Sequence, residues 1–480
     1  MHLPRSAWVA AAVAACLGWA FEASAQSASE PYRLTPEAER TLRRVILGLE
    51  PNRTRMFMLP ETMAWDPNTR DPRVRWLRRQ IYRLHFELSH GQIFRSAPAY
   101  GRFFIAVPDP ASTPGALGNE EAVFREYLAN RVGWSDARID ERVRFFKVSE
   151  PLPFPQDMAE PLGYDQRGRL VLGFGEDADA VYARAVQSLV EGNPDDFVLK
   201  RLPDVNTEGG DLALVRLPDG GIGLLVGYHR VRRYAERKRP GLSPNAPLSR
   251  AMVEEARAAY SRAFDDVETI VVGQEALFDP SLSNPEIFHL DMVVAVLRGA
   301  AGVVAFVPTY EGSPVNALSH VHLTEESVRR FQAEYDRAAR QMAARGYRVV
   351  RLPFADHPAR DPVGIGKFVD ASTGRASVLL GRYPDHLEKS DERNAQTLLQ
   401  LKFEDLDAAV ASWRRDPTDA RWEGVKAAVA AAWRQMDASL AAPNPVYEEQ
   451  RRLYEASGIR VAPLPIFPMG EGGVHCLVLK

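Results

Sequence analysis

The chain has almost no cysteine: of 480 residues, only Cys16 and Cys476 carry a thiol. A disulfide-stapled fold is therefore excluded. It also lacks an excess of charge of either sign. Lys and Arg number 60 against 63 Asp and Glu, a formal net charge of -3, and this argues against nucleic acid as a partner, because phosphate binding concentrates basic residues. The basic stretch from Arg230-Val231-Arg232-Arg233 to Arg239 is short and reads as a solvated face. Long apolar runs are missing as well. Residues 7–21 are too few and too rich in Ala for a transmembrane span, and no other stretch is long enough. What remains is an ordinary globular composition, 45% hydrophobic and 26% charged, with enough residues for a large core.

The N-terminus is informative. Arg5 precedes the apolar run, and Ala23-Ser24-Ala25 follows it as a small-x-small pattern. This reads as a secretory signal peptide over residues 1–25, cleaved near Ala25. Val13-Ala14-Ala15-Cys16 offers a competing lipoprotein box with Cys16 as the anchor, but the apolar run continues to Phe21, which suits ordinary cleavage. Either route exports the chain to the periplasm or beyond, where paired cysteines oxidise. Cys476, in Gly472-Gly473-Val474-His475-Cys476-Leu477, then has no partner in the mature chain. A free thiol kept in such a compartment is a candidate nucleophile.

Residues 26–95 read as a helical N-terminal segment, with Thr35 capping a helix that opens at Pro36 and a second helix over 73–86. Over 96–480 a unit of amphipathic helix and short strands recurs five times. Helices are expected over 120–130, 178–191, 250–264, 324–345 and 425–440, with a further one over 447–457. Strands are expected over 103–107, 143–148, 170–172, 197–199, 212–216, 222–226, 268–272, 292–297, 303–307, 348–352, 376–380, 459–462 and 474–479. Five such units suggest a radial repeat in which no unit buries its apolar face alone. A doubly wound parallel sheet is the usual outcome of alternating helices and strands. Pro218-Asp219-Gly220-Gly221 is a hairpin signal, however, and demands antiparallel pairing. Residues 385–421 read as a helical insertion.

Several motifs carry candidate chemistry. Gly173-Phe174-Gly175 before a helix mimics a dinucleotide loop, but Glu176, Asp177 and Asp179 would repel pyrophosphate, so it reads as a turn. His320-Val321-His322 lacks a third metal ligand and reads as a polar turn. Glu208-Gly209-Gly210-Asp211 is either a plain turn or a place where backbone approaches a ligand beside a carboxylate. Phe288-His289-Leu290-Asp291 opens an apolar strand whose period puts His289 and Asp291 on one face. They form either a satisfied polar pair or a general acid/base beside a carboxylate for a cationic substrate.

Gln156-Asp157, His289-Leu290-Asp291 and Cys476, in that order, resemble the guanidine-modifying (pentein) superfamily. Gln156-Asp157-Met158 through Leu162-Gly163-Tyr164 is similar to peptidylarginine deiminases, and Gly473-Val474-His475-Cys476 to peptidylarginine and agmatine deiminases. Glu208-Gly209-Gly210-Asp211 is closer to bacterial arginine deiminases. The resemblance implies a five-bladed α/β propeller with pseudo-fivefold ββαβ repeats over roughly 100–480. It implies Cys476, His289 and Glu208 as catalytic residues, and Asp157, Asp291 and Asp211 as substrate ligands. No redox cofactor and no metal are expected. The expected reaction is deimination of arginine, with peptide- or protein-bound arginine favoured by export. Free arginine or agmatine deimination, dimethylarginine hydrolysis and amidino transfer are the alternatives within the class. A non-catalytic exported binder of guanidino ligands is the alternative outside it.

Overall fold

Runs of β-branched and aromatic residues alternate with amphipathic helices and build a mixed α/β protein. The computed structural model describes residues 32–40, 43–48, 71–96, 99–109, 111–112, 118–150, 152, 155–175, 180–243, 247–273, 289–312, 324–354, 363, 366–369, 374–381, 404–441, 445–464 and 478–479. The expected signal peptide, Cys16, Glu176, Asp177, Asp179, His320, His322, residues 385–403 and Cys476 lie outside these residues. Among the described residues, no helix is long and apolar enough to cross a membrane.

Among the described residues the strands form five small sheets rather than one doubly wound sheet. Sheet I holds Val478–Leu479, Arg44–Gly48, Arg102–Pro108 and Val143–Val148. Sheet II holds Tyr32–Leu34, Glu160–Asp165, Leu170–Gly175 and Phe197–Leu202. Sheet III holds Leu212–Arg216, Ile222–Gly227 and Glu268–Val272. Sheet IV holds Ala295–Gly299, Gly302–Thr309 and Arg348–Pro353, and sheet V Gly366–Val369, Ala376–Gly381 and Arg460–Leu464. In each, one strand crosses by way of helix to a parallel neighbour. In sheet IV, Gly302–Thr309 passes through Glu325–Ala344 to Arg348–Pro353, with Val304 opposite Arg348. Thr324 starts that helix by accepting from Ser327 N at 3.0 Å, which satisfies an otherwise orphaned donor. Sheets II to V each add an antiparallel strand before the crossover. The one in sheet III closes on the hairpin read from Pro218-Asp219-Gly220-Gly221, with Gly220 at φ 92°.

Successive residues of a strand point to opposite faces, and here both faces are apolar. Phe103 and Ile105 of sheet I face Phe368 and Leu379 of sheet V, while Phe104 and Phe146 face Leu170 and Phe197 of sheet II. The same double use joins II to III through Leu202 and Leu214, III to IV through Val215 and Val307, and IV to V through Phe306 and Val378. Each of these buried clusters thus draws on two sheets, and one of them joins sheet V to sheet I.

The N-terminal segment departs from the helical expectation. Pro36 leads into a single 3-10 turn, Glu37–Glu39, and strands Tyr32–Leu34 and Arg44–Gly48 flank it. The would-be cap Thr35 gives its amide to Leu162 O at 2.9 Å instead. Val45, Ile46 and Leu47 are fully buried, and three consecutive inward side chains suit a strand covered on both faces. The second expected helix is present as Pro72–Phe86, capped by Asp71 with Pro at its start. It packs against Glu404–Arg415 and Asp419–Ala441 through Leu77, Ile81, Val410, Trp413 and Val425. The helix expected over 425–440 as part of the fifth unit is instead the body of Asp419–Ala441, which shares this core with the N-terminal helix and with Glu404–Arg415.

Candidate functional site

Three short connections, each leading into a strand of a different sheet, come together. The first is the 3-10 turn Pro155–Met158 ahead of sheet II, the second the 3-10 turn Gly209–Asp211 ahead of sheet III. The third is His289 with the 3-10 turn Leu290–Met292 ahead of sheet IV. They carry Asp157, Glu208 and His289, whose ligating atoms lie within 4.8 Å of one another. His289 Nε2 is 3.0 Å from Glu208 Oε1, and its Nδ1 is 4.0 Å from Asp291 Oδ1.

The two glycines explain how this density is reached. A Cβ on Gly210 would overlap the His289 imidazole, and one on Gly209 would lie 2.5 Å from Gln156 O. The close backbone approach expected at Gly209-Gly210 thus serves His289 and Gln156. Gln156 Nε2 donates to Gly209 O at 2.8 Å and locks the first connection to the second.

His289 and Asp291 are neighbours, but not through strand alternation. His289 is the extended residue before a 3-10 turn, and the strand begins only at Ala295. Asp211, expected as a substrate ligand, has protein partners on both oxygens. It is fully buried, and its Oδ1 accepts from Leu290 N at 3.2 Å while its Oδ2 pairs with Arg230 and lies 3.3 Å from His229 Nδ1. Both oxygens are used to hold the third connection and the helix Tyr228–Lys238. Asp157 is different: Oδ1 is buried and has no hydrogen-bond partner among the described residues.

Arg230 is the site residue that the sequence reading missed. The stretch read as a solvated face is the helix Tyr228–Lys238, in which Arg230 and Arg232 are buried. Arg230 pairs with both Asp211 and Glu208 and donates to Asn206 Oδ1 at 2.9 Å. One signal was present: basic residues crowd the first turn of this helix, where the dipole disfavours cations. An acidic partner had to compensate.

The electrostatics follow from burial and this charge set. Desolvation pushes the Asp157 carboxyl up to about 7, against the pull of His289, with Glu208 and Asp291 adding to the rise. Burial alone would lower His289, but the Glu208 hydrogen bond and the charges of Asp211, Asp157 and Asp291 outweigh it and raise it to about 9. Burial opposes ionisation of Asp211 and Glu208 too, yet Arg230 and His289 hold both carboxyls below their usual range. Four carboxylates thus face one guanidinium and one imidazolium, and the surplus negative charge suits a cationic ligand. Asp157, Glu208 and His289 could also be offered to a metal ion. A metal ligated by His289 Nε2 would compete with its contact to Glu208 Oε1 at 3.0 Å and would take the imidazole in its neutral form. No protein-family model matches the chain, and no similar curated protein is found.

Proposed function

We propose that the chain is an exported, cysteine-dependent guanidino hydrolase of the pentein type, and that it deiminates arginine held in peptides or proteins. The observation that carries the reading is the convergence of Asp157, Glu208 and His289 from three separate connections, with an Asp157 oxygen that has no hydrogen-bond partner among the described residues. Five sheets with one repeated crossover, packed so that the fifth meets the first, support a five-bladed propeller. The thiol enters by chain connectivity. Val478–Leu479 runs beside Pro155–Met158, and Cys476 stands two residues earlier, a reach of about 7 Å at most.

In this mechanism Asp157 and Asp291 accept paired hydrogen bonds from the planar guanidinium, which offers donors as a fork. Glu208 keeps His289 charged and oriented. Cys476 Sγ, as thiolate, forms a bond to the central guanidinium carbon, and the bound cation beside it favours that ionisation. The tetrahedral adduct loses ammonia as the C–N bond breaks and the His289 imidazolium gives up its proton. The neutral imidazole then removes a proton from water, which attacks the thiouronium carbon. Breaking the C–S bond returns the thiolate and releases a ureido product. Substrate and water together equal ureido product and ammonium, so no electron acceptor is needed.

A panel of arginyl peptide, free arginine, agmatine and dimethylarginine, with and without an amine acceptor, separates the members of the class. Ammonia and citrulline release from the peptide by wild type, and none by Cys476→Ala, is the expected result. Equal activity of the two proteins would end the reading. A non-catalytic binder would hold these ligands without releasing ammonia.

A further inference from the structure

Asp157 presents a difficulty of position. A carboxylate oxygen left open for a ligand is not fixed by hydrogen bonds of its own, so its place depends on anchors on either side of the turn. On one side Gln156 Nε2 holds Gly209 O. On the other side the anchor comes from the N-terminal segment. Arg40, only 2% exposed, bonds Glu160 Oε1 at 3.3 Å and also donates to Pro161 O. Glu160 and Pro161 open the strand that leaves the Asp157 turn.

We propose that Arg40 is a positioning residue for the site, gripping the strand behind Asp157 from a segment that is itself fixed on every side. That segment is tied to sheet V by the buried pair Glu37–Lys367 at 3.2 Å and by Val369 N donating to Arg40 O at 2.9 Å. Arg216 Nε donates to Glu39 Oε1 at 2.8 Å and ties it to sheet III. Tyr32 OH donates to Asp265 at 2.7 Å and accepts from Lys200 Nζ at 2.6 Å, which joins its first strand to Phe197–Leu202 and to the turn ahead of Glu268–Val272. Three cations and three carboxylates, Arg40, Arg216 and Lys367 against Glu37, Glu39 and Glu160, balance one another. Four residues after Arg40 the chain enters sheet I as Arg44–Gly48, against which Val478–Leu479 pairs with Leu47 opposite Val478. Both Arg44–Gly48 and Val478–Leu479 lie beside Pro155–Met158. One short segment therefore sets the strand behind Asp157 and supports the strand that follows Cys476.

Replacing a buried ion pair by apolar residues of similar volume is often neutral for stability, so a change in local geometry can be read apart from a loss of stability. The double variant Arg40→Met with Glu160→Leu removes both charges and leaves the Pro161 carbonyl without Arg40. Its melting temperature is expected within about 5 °C of wild type. Amide exchange over residues 155–165 is expected to quicken at least about tenfold, with exchange in sheets III and IV unchanged. The activity readout rests on the guanidino-hydrolase reading: kcat/KM for an arginyl peptide should fall about tenfold or more, chiefly through KM. Arg40→Lys, which keeps the charge but not the fork, should melt as wild type and show the same local quickening, and it serves if the double variant does not fold. Wild-type exchange over 155–165 in these variants overturns the proposal whether or not the protein turns over substrate. Quickened exchange in a protein whose wild type releases no ammonia from any guanidino compound would leave Arg40 in its role and remove the activity.

Discussion

Replacing Asp157 by Asn should make the unliganded protein more stable at alkaline pH while destroying its capacity for a guanidinium. Burial raises this carboxyl from its ordinary 3.8 to about 7. Between those values the folded state holds a proton that the unfolded state has lost, so stability falls as pH rises through the window and stays low above it. Three pKa units at ~1.4 kcal/mol each put the upper bound near ~4 kcal/mol. Asp157 keeps some exposure, and solvent screening reduces the expected gain to about 2–3 kcal/mol. The side-chain amide introduced by Asp157→Asn does not titrate, so urea melts should show the variant more stable than wild type at pH 8 and nearly equal at pH 4. A guanidino ligand should stabilise wild type at pH 8 and leave the variant unmoved. If the variant is no more stable than wild type at pH 8, the carboxylate is not held at an energetic cost, and the argument that it awaits a cation fails.

Other outcomes follow from the same geometry. The pH profile of kcat/KM should be a bell, rising as Asp157 ionises near 7 and falling as His289 loses its proton near 9; a profile flat from pH 6 to 9 would contradict it. Arg230→Met leaves the buried Asp211 with only the Leu290 amide and His229 as partners, and should cost about 3–5 kcal/mol of stability by denaturant melts. Stability that rises with pH through the usual carboxylate range is expected from Glu208 and Asp211, whose carboxyls are held low, and that slope should weaken in Arg230→Met. Gly210→Ala drives a methyl into the His289 ring and should lower kcat about a hundredfold, a loss typical of a displaced catalytic group, with the far-ultraviolet spectrum unchanged.

Much of this was legible in the sequence because strands and helices here obey local pattern. Val143–Val148, Leu212–Arg216 and Glu268–Val272 stand where their β-branched runs put them. The N-terminal strands were not legible. Arg44–Gly48 becomes a strand because it pairs with Arg102–Pro108 and is buried on both faces, a tertiary fact that the capping signal at Thr35 concealed. At the site, Asp157, Glu208, His289 and Asp291 were named from motif order and come together. Arg230 was not, since a run of arginines reads as surface until the buried Asp211 beside it is known. Asp211 was named as a substrate ligand, and only the fold reveals that both its oxygens also hold protein partners, Leu290 N and Arg230.

The central claim is that Cys476 attacks a guanidinium held by these carboxylates. Its most direct test is the intact mass of the protein, quenched in acid during turnover of an arginyl peptide. The expected result is an adduct on Cys476 equal to the peptide less ammonia, absent from Cys476→Ala and from Asp157→Asn. Citrulline formed without any such adduct, or formed equally by Cys476→Ala, would contradict it.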